Sequence, residues 1–180
     1  PGKYTLKLKM GDEVVSTVGN IIEMPTYETK EGQYKEYDEI MTEMERKLTV
    51  MHNKLNALYK TQQQLKAVIK GLKNETLKTE GQKLLDALDA WDKKMVQRKS
   101  KAYDDVENFP NKFTAEYLFL IDATNSSIPK VNQASKDRKV ELDAQWNVLE
   151  KEAEMFLKTS IPEFNKKLWE EGIGALQIEE

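Results

Sequence analysis

Cysteine is absent from the 180 residues and histidine occurs once. The first absence excludes disulfides, thiolate zinc sites and cysteine nucleophiles. Neither sign of charge dominates: 28 Lys+Arg stand against 31 Asp+Glu, a net charge of -3. A nucleic-acid partner, which calls for a clustered basic excess, is therefore not expected. No apolar run approaches the ~20 residues that span a bilayer, so no membrane span is expected. Glycine-rich phosphate loops, Gly-x-Ser-x-Gly and a supported Ser-x-x-Lys are missing as well. There is no low-complexity segment and no repeat of 20–50 residues. The chain opens at Pro1 without a signal peptide, which points to a processed or excised product.

What is present is 39% hydrophobic and 33% charged residues, a balance suited to long helices washed by solvent. Residues 3–10 alternate: Tyr4, Leu6, Leu8 and Met10 point one way, and Lys3, Thr5, Lys7 and Lys9 the other, as in a half-buried strand. Gly11-Asp12 supplies a turn. Residues 14–24 are rich in β-branched side chains and read as a second strand ended by Pro25, with Gly19-Asn20 as a bulge or break. A two-stranded hairpin alone is marginal in water. The strands either pack on the helices or, the preferred reading, close a β domain that lies upstream.

Residues 31–73 carry the strongest period. Tyr34, Tyr37, Met41, Met44, Leu48, Met51, Leu55, Leu58, Gln62, Leu65, Ile69 and Leu72 alternate spacings of three and four, which places one stripe on one helix face. Gly71 and Asn74 mark a turn, with Asn74 as N-cap of a second helix. Leu77, Gly81, Leu84, Leu88, Trp91, Met95 and Ala102 continue the spacing. That helix is expected to end near Glu107, because Pro110 disfavours helix before it. The connection is short, so the two helices are antiparallel neighbours. Phe113, Tyr117, Leu118, Leu120 and Ile121 predict a short apolar helix crossing an open end of the bundle, followed by a loop through Asn125-Ser126-Ser127 and Pro129. A third long helix starts near Asn132 or Ser135, with a stripe from Leu142 through Trp146, Leu149, Ala153, Phe156, Ile161 and Phe164 to Leu168. Pro162 is expected to kink it, and Gly172 and Gly174 to stop it. Leu176 and Ile178 could dock the tail. The fold class is thus mainly α: an antiparallel bundle of three long helices plus a short crossing helix, preceded by a β-hairpin. The organisation is 1–25 hairpin, 31–175 bundle.

Chemistry is sparse. His52, at the edge of the first stripe, has no His-x3-His or His-x2-Glu partner and reads as a boundary or surface residue. Asp86, Asp89 and Asp92 recur every three residues, but Lys83, Lys93 and Lys94 beside them suit a solvated face better than a glycosidase-type pair. Trp91 and Trp146 sit on stripes and read as core, whereas Trp169 lies just off its stripe. The methionines of the first helix read as a buried seam rather than a pliable partner surface. The sequons at Asn74 and Asn125 matter only in a eukaryotic secretory pathway. No catalytic, cofactor-binding or metal residue is assigned.

Several motifs nevertheless form a pattern: Pro1-Gly2-Lys3-Tyr4-Thr5-Leu6, the strand ending at Pro25, Asn108-Phe109-Pro110-Asn111-Lys112, the loop through Pro129, and Ile161-Pro162-Glu163-Phe164-Asn165-Lys166-Lys167-Leu168. Over nearly its whole length the chain resembles the C-terminal region of exported bacterial proteins that carry sortilin-like (VPS10/BNR-type) β-propellers, often labelled glycosyl hydrolases. It departs from that pattern at Lys130-Val131, where a capping threonine is usual. The resemblance implies a periplasmic or secreted setting, a propeller or β-sandwich upstream as partner, and a helical tail. It transfers no catalytic residue. The expectation is a non-catalytic accessory module with no cofactor, a monomer in preference to a dimer. A glycan- or protein-binding bundle using residues 108–131 is the alternative. Burial of Phe113, Tyr117 and Leu120 favours the structural reading; exposed aromatics there favour binding.

Overall fold

The computed structural model describes residues 1–178. It is a mainly α fold: a bundle of long helices preceded by an antiparallel hairpin.

Strands β1 (Gly2–Met10) and β2 (Glu13–Ile21) pair without interruption from Gly2↔Ile21 to Met10↔Glu13. Gly11, at φ 60, takes the first central turn position, where only glycine is unstrained. The expected bulge at Gly19-Asn20 does not form. Tyr4 pairs with Gly19 within a regular ladder, and a Cβ on that glycine would meet the Leu6 side chain at 3.4 Å, an ordinary contact. The second strand also stops at Ile21 rather than running on to Met24. Tyr4, Leu6, Leu8 and Met10 share one face with Val15 and Ile21, while Lys3, Lys7 and Lys9 occupy the other. Apart from Gly19 every residue of both strands is exposed, so the hairpin does not bury its apolar face on the bundle.

Helix α1 (Gln33–Gly71) spans 39 residues, about 58 Å at 1.5 Å per residue. Its stripe is buried at Met41, Met44, Met51, Leu55, Leu58 and Leu65. Asn74 caps α2 (Glu75–Met95) as expected, its side-chain oxygen accepting from the Thr76 and Leu77 amides at 3.0 and 3.1 Å.

The end of α2 corrects the sequence reading. The helix stops at Met95, not near Glu107, and a single 3-10 turn at Tyr103–Glu107 occupies part of the connection. The cause is tertiary. Arg98 folds back onto the Asp92 carboxylate (2.6 and 2.5 Å) and covers the Tyr59 ring of α1 at 3.6 Å. Gln97 donates to the Pro110 carbonyl. Continued helix would carry these side chains away from those partners, and nothing apolar between Val96 and Ala102 compensates.

Helix α3 (Phe113–Asn125) packs against α1 and α4 over the length that α2 leaves uncovered. Asn132 caps α4 (Gln133–Met155), accepting from the Ser135 amide at 2.8 Å. A π-type turn (Phe156–Ser160) then leads into α5 (Ile161–Glu170). This turn is the form taken by the expected irregularity at Pro162. The ring cannot accept an ordinary α-helical turn before it, and a widened turn removes the clash. Gly172, at φ 72, ends α5, with the Ile173 amide reaching the Leu168 carbonyl at 2.9 Å. Cross-links fix direction: Glu36 with Lys136 and Lys54 with Glu154 run α4 parallel to α1, while Lys94 with Glu152 and Glu80 with Lys167 run it and α5 antiparallel to α2.

Gly81 is a point of tight packing between α2 and its neighbours. A Cβ there would lie 2.9 Å from the Phe164 ring and 3.0 Å from Ile69. Gly81→Ala gains helix propensity of about 1 kcal/mol, but overpacking costs about 1–3 kcal/mol. We expect a net loss for Ala and a larger one for Val, read as a lowered urea midpoint; a stabilised Gly81→Val protein would contradict this packing.

Candidate functional site

Five titratable side chains converge where α1, α3 and α4 meet. Tyr117, fully buried on α3, donates its hydroxyl to Asp143 Oδ1 at 2.9 Å. Asp143 Oδ2 receives Lys47 and Lys139, each at 2.7 Å. Glu43 binds the same two lysines at 2.6 and 2.9 Å. Burial pushes the Asp143 carboxyl up, but the bonds from Lys139, Lys47 and Tyr117 outweigh it and hold the group below its ordinary value. Hydrogen bonds from Lys47 and Lys139 hold Glu43 low as well. For Lys47, desolvation acts downward, yet its two carboxylates keep it above its usual range. Burial, with the Asp143 carboxylate beside it, pushes the Tyr117 phenol far up.

The cluster is balanced: two cations, two carboxylates and one neutral phenol. Both oxygens of each carboxylate are engaged and both groups are held below their ordinary values, so neither carboxylate is poised as a general acid near neutrality. The arrangement links three helices: Glu43 and Lys47 stand on α1, Tyr117 on α3, and Lys139 and Asp143 on α4. A second ionic group joins α1 to α4: Lys158 and Lys54 both bind Glu154 and hold its carboxyl down to about 2.

The residues singled out from sequence do not assemble. His52 is exposed on α1, and among the described residues no group of His, Asp and Glu is arranged to hold a metal ion. The aspartates of α2 go three ways: Asp86 to the Gln82 amide, Asp89 to Lys93 and Gln62, and Asp92 to Arg98. Asp92 is buried, so the solvated-face reading fails for it. Arg98, its partner, carries no sequence signal beyond lying six residues away. Trp91 and Trp146 are buried; the Trp91 indole donates to the Leu149 carbonyl at 2.9 Å, and Trp146 stacks on Phe113 at 6.2 Å. Trp169 is 76% exposed. Phe113, Tyr117 and Leu120 all turn inward, whereas Phe119 on the same helix is 72% exposed. It borders an open cleft of about 600 Å³ between α3 and α4, where Arg138 is already bound to Glu116 and Glu141.

The tail is fastened by two amide side chains. Asn165 exchanges hydrogen bonds with the Leu176 backbone at 2.8 and 3.0 Å, and Gln64 with that of Gln177 at 2.8 and 3.4 Å. Leu176 is thereby buried. Asn165 falls within the Ile161–Leu168 motif, and this contact gives that position a physical role. Among the described residues no helix is long and apolar enough to cross a membrane. No protein-family model, curated protein or solved structure matches the chain.

Proposed function

We propose that the chain is a non-catalytic accessory module: a rigid helical arm that carries a β-hairpin into a β-rich unit of a larger exported protein of the sortilin-like β-propeller kind. The observation that carries this reading is the inward turn of Phe113, Tyr117 and Leu120. The segment with the richest apolar content spends those side chains on the core rather than on a ligand. The convergent polar groups support it too, since each is satisfied by another within the bundle. The hairpin adds the direction of attachment. Its apolar face is uncovered while its lysine face suits water, the pattern of an antiparallel sheet with one side packed on a neighbouring layer. Among the described residues no nucleophile, base and orienter stand together, which supports the non-catalytic reading.

A second reading, a glycan- or protein-binding module, draws on one observation: the exposed Phe119 beside the α3–α4 cleft. The experiment is a comparison of the full chain with residues 31–180. The shorter piece should give a helical far-UV spectrum and one cooperative thermal transition, close to that of the full chain. A disordered spectrum would refute an autonomous arm. Glycosidase turnover by the full chain, or saturable glycan binding lost in Phe119→Ala, would replace the reading.

A further inference from the structure

We propose that the outer edge of β2 pairs with the same edge of a second copy of the chain, in a two-fold antiparallel contact centred on Thr17. The two edges of the hairpin differ. β1 bears Lys3, Lys7 and Lys9, which blunt its edge. β2 has no charged residue from Val14 to Ile22, is rich in β-branched side chains, and is exposed apart from Gly19. Its ladder has no bulge to twist the edge away. An exposed, regular, uncharged edge is a surface that native proteins otherwise cover. The bundle satisfies its seams within the chain; this edge does not.

The chemistry selects a copy of the same strand. A two-residue turn closes on a hydrogen-bonded pair, so alternation sends the backbone groups of Val14, Ser16, Val18 and Asn20 outward. Antiparallel pairing about Thr17 sets Ser16 opposite Val18 of the second copy, Val15 opposite Gly19, and Glu13 opposite Ile21. No charge meets a like charge, and the lysines lie on the outermost strands. Pairing through β1 would instead bring the lysines of the two copies across one another. The register keeps the apolar side of both hairpins on one face of a four-stranded sheet, which is sturdier than two strands. Such an edge contact falls short of the ~800 Å² per partner of stable complexes, so it is weak and concentration-dependent. It uses the plane of the sheet and leaves the apolar face to the β-rich unit; its failure would leave the accessory-module reading standing.

The lack of native cysteine allows single-thiol trapping. Thr17 faces its own copy in a non-hydrogen-bonded pair, ~4.5 Å between Cα atoms, within disulfide reach. Under mild oxidation Thr17→Cys should form a linked dimer on the order of tenfold faster than Lys7→Cys. In sedimentation equilibrium the unaltered chain should rise from 20.8 kDa toward twice that mass with concentration. Ser16→Glu/Val18→Glu should remain at the monomer mass. Its new carboxylates sit across from Lys7 and Thr5 within their own hairpin, but face each other across the contact, where like charges repel. A monomer at every concentration, equal trapping at positions 17 and 7, or a dimer that survives the double substitution would each overturn the proposal.

Discussion

Trp91→Ala is expected to lower the unfolding free energy by about 3–5 kcal/mol. The side chain is 1% exposed, lies between α2 and α4, and its indole N–H is bound to the Leu149 carbonyl at 2.9 Å. Truncation removes the buried ring, leaves a cavity that long helices cannot collapse into, and deletes a hydrogen bond of about 1 kcal/mol net. In a protein of this size that corresponds to a fall in Tm of roughly 6–20 °C. Trp169→Ala is the matched control: its side chain is 76% exposed, and a change within about 0.5 kcal/mol is expected. Guanidinium titrations of both variants measure the difference. Equal losses at the two positions would mean that the α2–α4 contact is not where the core sits.

That contrast follows from the part of the fold that is legible in the sequence. A stripe of period three and four needs only the geometry of one helix, so Trp91 and Trp146 could be placed inside, and Trp169 off the stripe, before any neighbour was known. The cap Asn74 is legible for the same reason, since a cap bonds the amides two or three residues on; at the third long helix the sequence leaves Asn132 and Ser135 both open, and the bond from the Ser135 amide to the Asn132 side chain decides between them. What one helix cannot contain is a partner far along the chain. Arg98 ends α2 by turning to Asp92 and to Tyr59 on another helix, and no local propensity announces that. Pro162 announces an irregularity in its helix, but not that the relief is a widened π-type turn, because backbone packing decides which relief is taken.

The hairpin shows a different limit. Its alternation was plain, and the strands pair as that pattern requires. Alternation records that one face expects cover, not what covers it, and the bundle leaves that face open. The polar cluster was the least legible feature. Lys47 and Asp143 stand on helices far apart in sequence, each among many exposed charges of the same type. Only the parallel alignment of α4 on α1, set by the apolar stripes, selects them as a pair.

For that cluster we expect Asp143→Ala to cost about 2–4 kcal/mol, well beyond a surface charge substitution. Asp143 accepts from Tyr117, Lys47 and Lys139, and its side chain is 18% exposed. Removing it leaves two lysines with only Glu43 between them and a buried phenol without an acceptor. Losing one member of a buried charge group is costly because the remaining charge is uncompensated; partial solvent access keeps the figure below the fully buried limit. Tyr117→Phe removes one hydrogen bond and should cost about 1 kcal/mol. The pH dependence separates the ionic part. Asp143 and Glu43 are both held below their ordinary values. Their contribution is therefore complete above the unfolded carboxylate values, at about pH 5 and higher, and fades as the pH falls through the lower folded values. Between roughly pH 7 and pH 3 the unaltered chain should lose stability more steeply than Asp143→Ala. Urea midpoints measured across that range test this, and parallel slopes for the two proteins would show that the cluster is held by packing rather than by charge.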